Sequence, residues 1–279
     1  MKKVYLFLIV VLFSTTCSYA QFTYGTTGLL NMPTGEMQRD KTFLCGFGYL
    51  ETHTTPTRWF YDTWNYYINV TIFPWMEVSY TCTLHKAVYY DPPYGAGYWV
   101  PSTYGKFVNQ DRNFSLRLRL WKEGWWKPWT PQIVIGGNDC LNNSWTEGSK
   151  TEMSDVPWNG FYSRYYLAAT KHFNFERIGE LGAHAAYVYN KRPDYPLNGP
   201  CFGANFNIDL PRTNIWTKLA NGVNVMAEYD SKSINAGLGY NIMDVVSPKV
   251  AKKFEMNAML ELNRCKYASA GVMFKVHLK

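Results

Sequence analysis

Glu228 and Asp230 stand two positions apart in "VNVMAEYD" (223–230), and Glu255 and Glu261 share one parity in "FEMNAMLELN" (254–263). Two carboxylates on one face can divide the acid and base roles of a hydrolase, yet such a pair alone does not make one. His53, His85, His172, His184 and His277 are the candidate bases. No Gly-x-Ser-x-Gly elbow offers them a nucleophile, and no His-x-x-x-His or Glu-x-x-His spacing offers a metal site. No catalytic residue, metal or cofactor is therefore expected. Glu77, Arg117, Arg119, Arg164, His184, Glu228, Asp230, Glu255, Glu261, Lys275 and His277 remain as a set of mixed sign. Such a set can line a charged pathway or binding surface. It can equally neutralise itself across strands and stiffen a closed interior, since opposite charges on neighbouring strands contribute about 1 kcal/mol at most.

The segments that carry these residues alternate. In "FSLRLRLW" (114–121), Phe114, Leu116, Leu118 and Leu120 fall on one face of a strand, and Ser115, Arg117, Arg119 and Trp121 on the other. The pattern recurs in "YYINVTIF" (66–73), "MEVSYTCTLH" (76–85), "FGANFNIDL" (202–210), "INAGLGYNI" (234–242) and "AGVMFKVHLK" (270–279). These runs are about ten residues long, which a tilted strand needs to cross a bilayer, whereas globular strands run nearer five or six. With less regular candidates near 41–50, 131–139, 160–171 and 180–190, the sequence predicts about twelve strands. The expected fold is all-β, a transmembrane antiparallel up-and-down β-barrel with lipid outside and a polar lumen. A secreted glycan-binding β-sandwich is the soluble alternative.

Composition and connections favour the barrel. Aromatics make up 18% of the 279 residues, with 11 Trp and 22 Tyr, as interfacial girdles require. Residues 1–20 read as a signal peptide: Lys2 and Lys3, the apolar "VYLFLIVVLF", then Ser18 and Ala20 at the −3 and −1 positions of a cleavage site. Cleavage after Ala20 is expected over lipidation of Cys17, and losing the two lysines lowers the formal charge from +7 to +5. No basic run suggests nucleic acid. Cys45, Cys82, Cys140, Cys201 and Cys265 are read as free, with one Cys140–Cys201 disulfide open. "FPWME" (73–77) and 172–178 are short, periplasmic-type turns, against long connections at 86–110 and 140–159; 122–130, 210–220 and 243–251 are longer than minimal turns. Trp75, Trp121, Trp125, Trp126, Trp129 and Trp216 gather at the expected periplasmic ends. The loops "VYYDPPYGAGYW" (88–99) and "KEGWWKPW" (122–129) could stack on sugars; for the second, interfacial anchoring is the preferred reading. Residues 21–40 do not alternate and form either a periplasmic lead-in or a plug, leaving 41–279 as the barrel.

That segment contains "GTTGLLNMPTGEM" (25–37). Its Gly28, Leu29, Leu30, Met32, Pro33 and Thr34 resemble the G-x-x-G-L-[IL]-x-M-P-[ST] opening of the YjbH-like outer-membrane proteins of exopolysaccharide and capsule loci. "FPWMEVSY" (73–80) and "AEYDSKSINAGLGY" (227–240) are further echoes; long family members carry additional domains, and this chain is about one barrel. The resemblance implies an outer-membrane barrel, accessory to export of an exopolysaccharide, with no catalytic residues to carry over. It makes outer-membrane lipid and lipopolysaccharide, the polysaccharide and other export-locus proteins the expected partners of a monomer. A closed scaffold or surface-interaction barrel without transport is the alternative.

Overall fold

The computed structural model describes residues 21, 23–54, 62–86, 106–140, 163–190 and 198–278. The signal peptide, Cys17 and the loops 88–99 and 141–162 lie outside them.

Alternation becomes twelve antiparallel strands closed into a barrel, each paired with its sequence neighbours. They are β1 (Thr42–Leu50), β2 (Thr63–Phe73), β3 (Met76–Lys86), β4 (Phe107–Trp121), β5 (Gln132–Asn138) and β6 (Arg164–Phe175). The second half comprises β7 (Gly179–Tyr189), β8 (Gly199–Ile208), β9 (Val223–Tyr229), β10 (Ile234–Asn241), β11 (Phe254–Asn263) and β12 (Tyr267–His277). The seam runs from Thr42 opposite His277 to Tyr49 opposite Ala270. Closure gives every strand two partners and leaves no edge to satisfy, which hydrocarbon demands.

The two faces have opposite chemistry. Along β2, Asn65, Tyr67, Asn69 and Thr71 are buried inside, while Tyr66, Ile68 and Ile72 stand outside. Outward-facing Phe47, Leu116, Leu167, Phe202 and Val225 expose 40 to 57% of their surface. An exterior so apolar around an interior so polar suits lipid, not water, and displaces the sandwich alternative.

The ends differ as well. Pro74 and Trp75 turn β2 into β3, and three residues, Glu176 to Ile178, join β6 to β7. On this turn side the longer connections at 210–220 and 243–251 hold short helices: α1 (Ile215–Ala220), α2 (Ile242–Val246) and α3 (Pro248–Ala251). Asn214 caps α1 through a box with Thr217, and the Asn241 side chain accepts from the Asp244 N–H to cap α2. Helices of four to six residues are too short to show a 3.6-residue period, so the sequence gives only a longer turn. Cys140 and Cys201 are free thiols, so the disulfide left open between them is not formed.

Residues 23–38 lie buried inside the barrel. Gln21, Tyr24, Thr27, Leu30, Met32 and Thr34 are at most 1% exposed, and the chain reaches β1 at the turn-side rim, where the Lys41 N–H donates to Thr71 O. Inside, Leu29, Leu30 and Met32 complete an apolar cluster with Leu44, Tyr67, Met226, Met259 and Met273. A polar lumen thus encloses a small hydrophobic core, and the inner segment supplies part of it.

Candidate functional site

The inner segment makes a Gly28–Pro33 bridge and a few turn bonds of its own, and its other buried backbone groups need partners elsewhere. The lumen side chains are those partners. Glu77 of β3 accepts from the Thr27 N–H at 2.7 Å and the Thr27 hydroxyl at 2.6 Å. Glu228 of β9 accepts three backbone N–H groups, those of Leu30 (2.9 Å), Asn31 (2.7 Å) and Met32 (3.1 Å). The Asn31 amide donates to Glu261 at 2.8 Å and to Asn263 at 2.7 Å.

Arginines take the carbonyls. Arg117 Nη2 donates to Thr34 O and Glu36 O at 2.5 and 2.8 Å, with its guanidinium 3.4 Å from Glu77. Arg164 donates to Asn31 O at 2.7 Å and to the Gln21 side chain at 2.9 Å, and its guanidinium carbon lies 3.4 Å from the Tyr24 ring centroid. Charge-assisted bonds of this kind are the strong ones, and a guanidinium over an aromatic face adds cation–π attraction. The Gly35 N–H donates to Thr170, and Gln132 donates to Gly35 O.

The two other sequence echoes meet the motif in space. "FPWMEVSY" carries Glu77, and "AEYDSKSINAGLGY" carries Glu228 together with Gly237, where a methyl group would run into the Leu30 side chain. Gly25, at φ 65°, passes so close to the wall that a Cβ would lie 2.7 Å from that of Tyr67; both its conformation and its clearance require glycine.

The remaining candidates serve the wall. Asp230 caps the β9–β10 turn, accepting from the Lys232 and Ser233 N–H groups. Glu255 pairs with Lys275 (3.2 Å) and His277 (2.9 Å), and His277 also shares a 2.8 Å hydrogen bond with Thr42, tying β11, β12 and β1 at the seam. His184 bridges Thr170 and Asn205 at 2.8 Å each. Arg119 has lumen parity but is only half-buried at the turn-side rim, where its N–H donates to Trp75 O.

A second cluster, whose members the sequence does not bring together, closes that rim. His172 shares hydrogen bonds with Glu123 (2.6 Å) and Glu36 (3.1 Å), and Lys171 donates to Glu123 at 2.7 Å. Burial alone would raise the Glu123 carboxyl, but bonds from His172 and Lys171 hold it down at about 2. Asn31 was missed because it occupies a variable position of the motif. His172 stood only among the candidate bases, and Glu36 lies two positions beyond the last residue of the motif signature, so nothing in the sequence brought the two together. Among the described residues, no group of three or more His, Cys, Asp or Glu side chains is placed to hold a metal ion.

Comparison with known proteins covers the inner segment together with the first half of the barrel. The model of the YjbH family, described as "Exopolysaccharide biosynthesis protein YbjH", matches residues 20–190. The chain belongs to this family. It is 29% identical over 182 residues to the "Uncharacterized lipoprotein YjbH" of Escherichia coli K12, a match over 61% of this chain and 21% of that protein. It thus spans about a fifth of that relative's length. Among solved structures, outer membrane phospholipase A from Escherichia coli aligns over 85% of this chain and 96% of its own, at TM-score 0.37 and 11% identity. A porin mutant from Rh. blastica aligns over 85% and 98%, at TM-score 0.27 and 9% identity.

Proposed function

We propose that this YjbH-family chain is an outer-membrane barrel with an accessory role in exopolysaccharide export, and that residues 21–40 are a plug holding its resting state closed. One observation carries the proposal: Glu77, Arg117, Arg164, Glu228 and Glu261, the charges expected to face a glycan, are engaged by the inner segment. A polar, anionic polysaccharide would need the same arginines. Passage therefore requires the segment to leave, and involves no covalent step. Family membership supplies the polysaccharide context, and the apolar exterior supplies the membrane. Lipopolysaccharide around the barrel and other proteins of the export machinery are the accompanying partners of a monomer.

Planar-bilayer recording tests this reading. The intact barrel is expected to be silent, and deletion of residues 21–40 to open steps of conductance. A deleted barrel that inserts, migrates as folded on unboiled gels and still fails to conduct would leave the closed-scaffold role in its place. In cells, loss of the gene should lower secreted polysaccharide, and the scaffold reading predicts full rescue by a variant whose plug is locked in.

A further inference from the structure

The connection between β4 and β5 presents three indoles to the surroundings. Trp125, Trp126 and Trp129 expose 68, 66 and 63% of their surface. They are not loose. Glu123 accepts from Lys171 Nζ and from the His172 N–H, and Lys171 Nζ also donates to Pro128 O at 2.6 Å, so both arms of the connection are tied to the rim of β6. Trp121 meets Trp125 edge-on at 5.4 Å, and Trp126 meets Trp129 at 6.1 Å. Indole suits the depth at which headgroups give way to acyl chains.

Beside these rings lies an open, shallow cleft of about 600 Å³, lined by Pro128, Trp129, Lys171, His172, Phe173, Asn174 and Phe175. Phe173 and Phe175 have outward parity on β6 and expose 47 and 45%, giving the cleft an apolar flank that faces the lipid side of the wall. Lys171 is the lysine in its lining. Lys122 and Lys127 are exposed on the β4–β5 connection, with the Lys127 ammonium 4.7 Å from the Trp126 ring centroid. Lys171 uses two of its three donors on Glu123 and Pro128, leaving one. The connection from Lys122 to Thr130 carries two lysines against one glutamate, and that glutamate is already bound to Lys171 and His172.

We propose that this cleft binds an anionic glycerophospholipid of the turn-side leaflet, with acyl chain along Trp129, Phe173 and Phe175 and phosphate among Lys122, Lys127 and Lys171. Charge complementarity selects the headgroup, and the aromatic flank sets the depth. The site stands whether or not the barrel conducts, because it lies outside the lumen. Each lysine near a membrane surface contributes about 1 kcal/mol toward an anionic headgroup, so removing two should cost roughly tenfold or more in retention.

Native mass spectrometry of the purified full chain in detergent with phosphatidylglycerol, phosphatidylcholine or lipid A provides the test, with unboiled-gel migration confirming an intact barrel in every sample. Phosphatidylglycerol should be retained over phosphatidylcholine. That preference should fall about tenfold in a Lys122→Gln, Lys127→Gln double variant, and total lipid retention should fall in Trp129→Ala. Equal retention of the two phospholipids would overturn the proposal. So would a preference untouched by these variants, or stronger retention of lipid A. The gel control makes an unfolded variant recognisable, and the two variants alter different contacts, so loss of one leaves the other informative.

Discussion

Arg117 of β4 donates to the carbonyl oxygen of Thr34 at 2.5 Å, across 83 positions of sequence. The same guanidinium lies against Glu77, its registered neighbour on β3, and both side chains are fully buried. One arginine thus joins barrel wall to inner segment. Arg117→Leu would take the countercharge from buried Glu77 and leave the Thr34 and Glu36 carbonyls without their donor. Breaking a buried pair in this way costs about 3–5 kcal/mol. The outward face is untouched, so the barrel should still insert. The inner segment should become open to limited proteolysis near Thr34 in the variant and stay protected in the parent.

Glu228 gathers three consecutive N–H groups at the tip of the segment. Replacing it with glutamine removes the charge and one acceptor, a change worth about 1–3 kcal/mol. Hydrogen exchange at Leu30, Asn31 and Met32 should quicken by roughly tenfold to a hundredfold, while strand amides of β9 keep their protection. Quickening spread evenly over the barrel would mean that Glu228 supports the wall and not the segment.

Leu116 sits beside Arg117 in the chain and on the opposite face, 40% exposed. A charge on the lipid face costs about 2–4 kcal/mol near the bilayer midplane. Leu116→Arg should therefore lower the folded fraction in vesicles, measured by unboiled-gel migration, where Leu116→Ala does not. An unchanged folded fraction in Leu116→Arg would contradict the assignment of faces.

Glu123 sets a pH limit on the β4–β5 connection. Its carboxyl, ordinarily at 4.5, is held at about 2 in the fold. A depressed carboxyl contributes stability that is complete above its ordinary value and disappears as pH falls toward its folded one. The connection should accordingly loosen between pH 4.5 and 2, read as a change in Trp fluorescence. The contribution is roughly 3 kcal/mol at most, the worth of a shift of that size. In Glu123→Gln the fluorescence should be altered at neutral pH and flat across that window.

Much of the barrel could be read from the chain because strand alternation is a local property. Arg117, Glu228 and Glu261 declare their face by parity alone, and Phe114 to Trp121 shows which face is apolar. The short helices at 215–220 and 242–246 escaped because too few residues carry their period. The rim cluster of Glu36, Glu123 and His172 escaped because its members come from the inner segment, a turn and a strand end.

Residue order alone therefore settled that these charges point inward, since a side chain's face follows from its immediate neighbours. It left open whether they meet a glycan, each other or the protein itself. That answer depends on closure of β1 against β12 and on the return of residues 23–38 into the space so enclosed. Asn31 shows why: its partners Glu261 and Asn263 lie 230 and 232 positions away, and nothing along the chain relates them until the barrel sets its register.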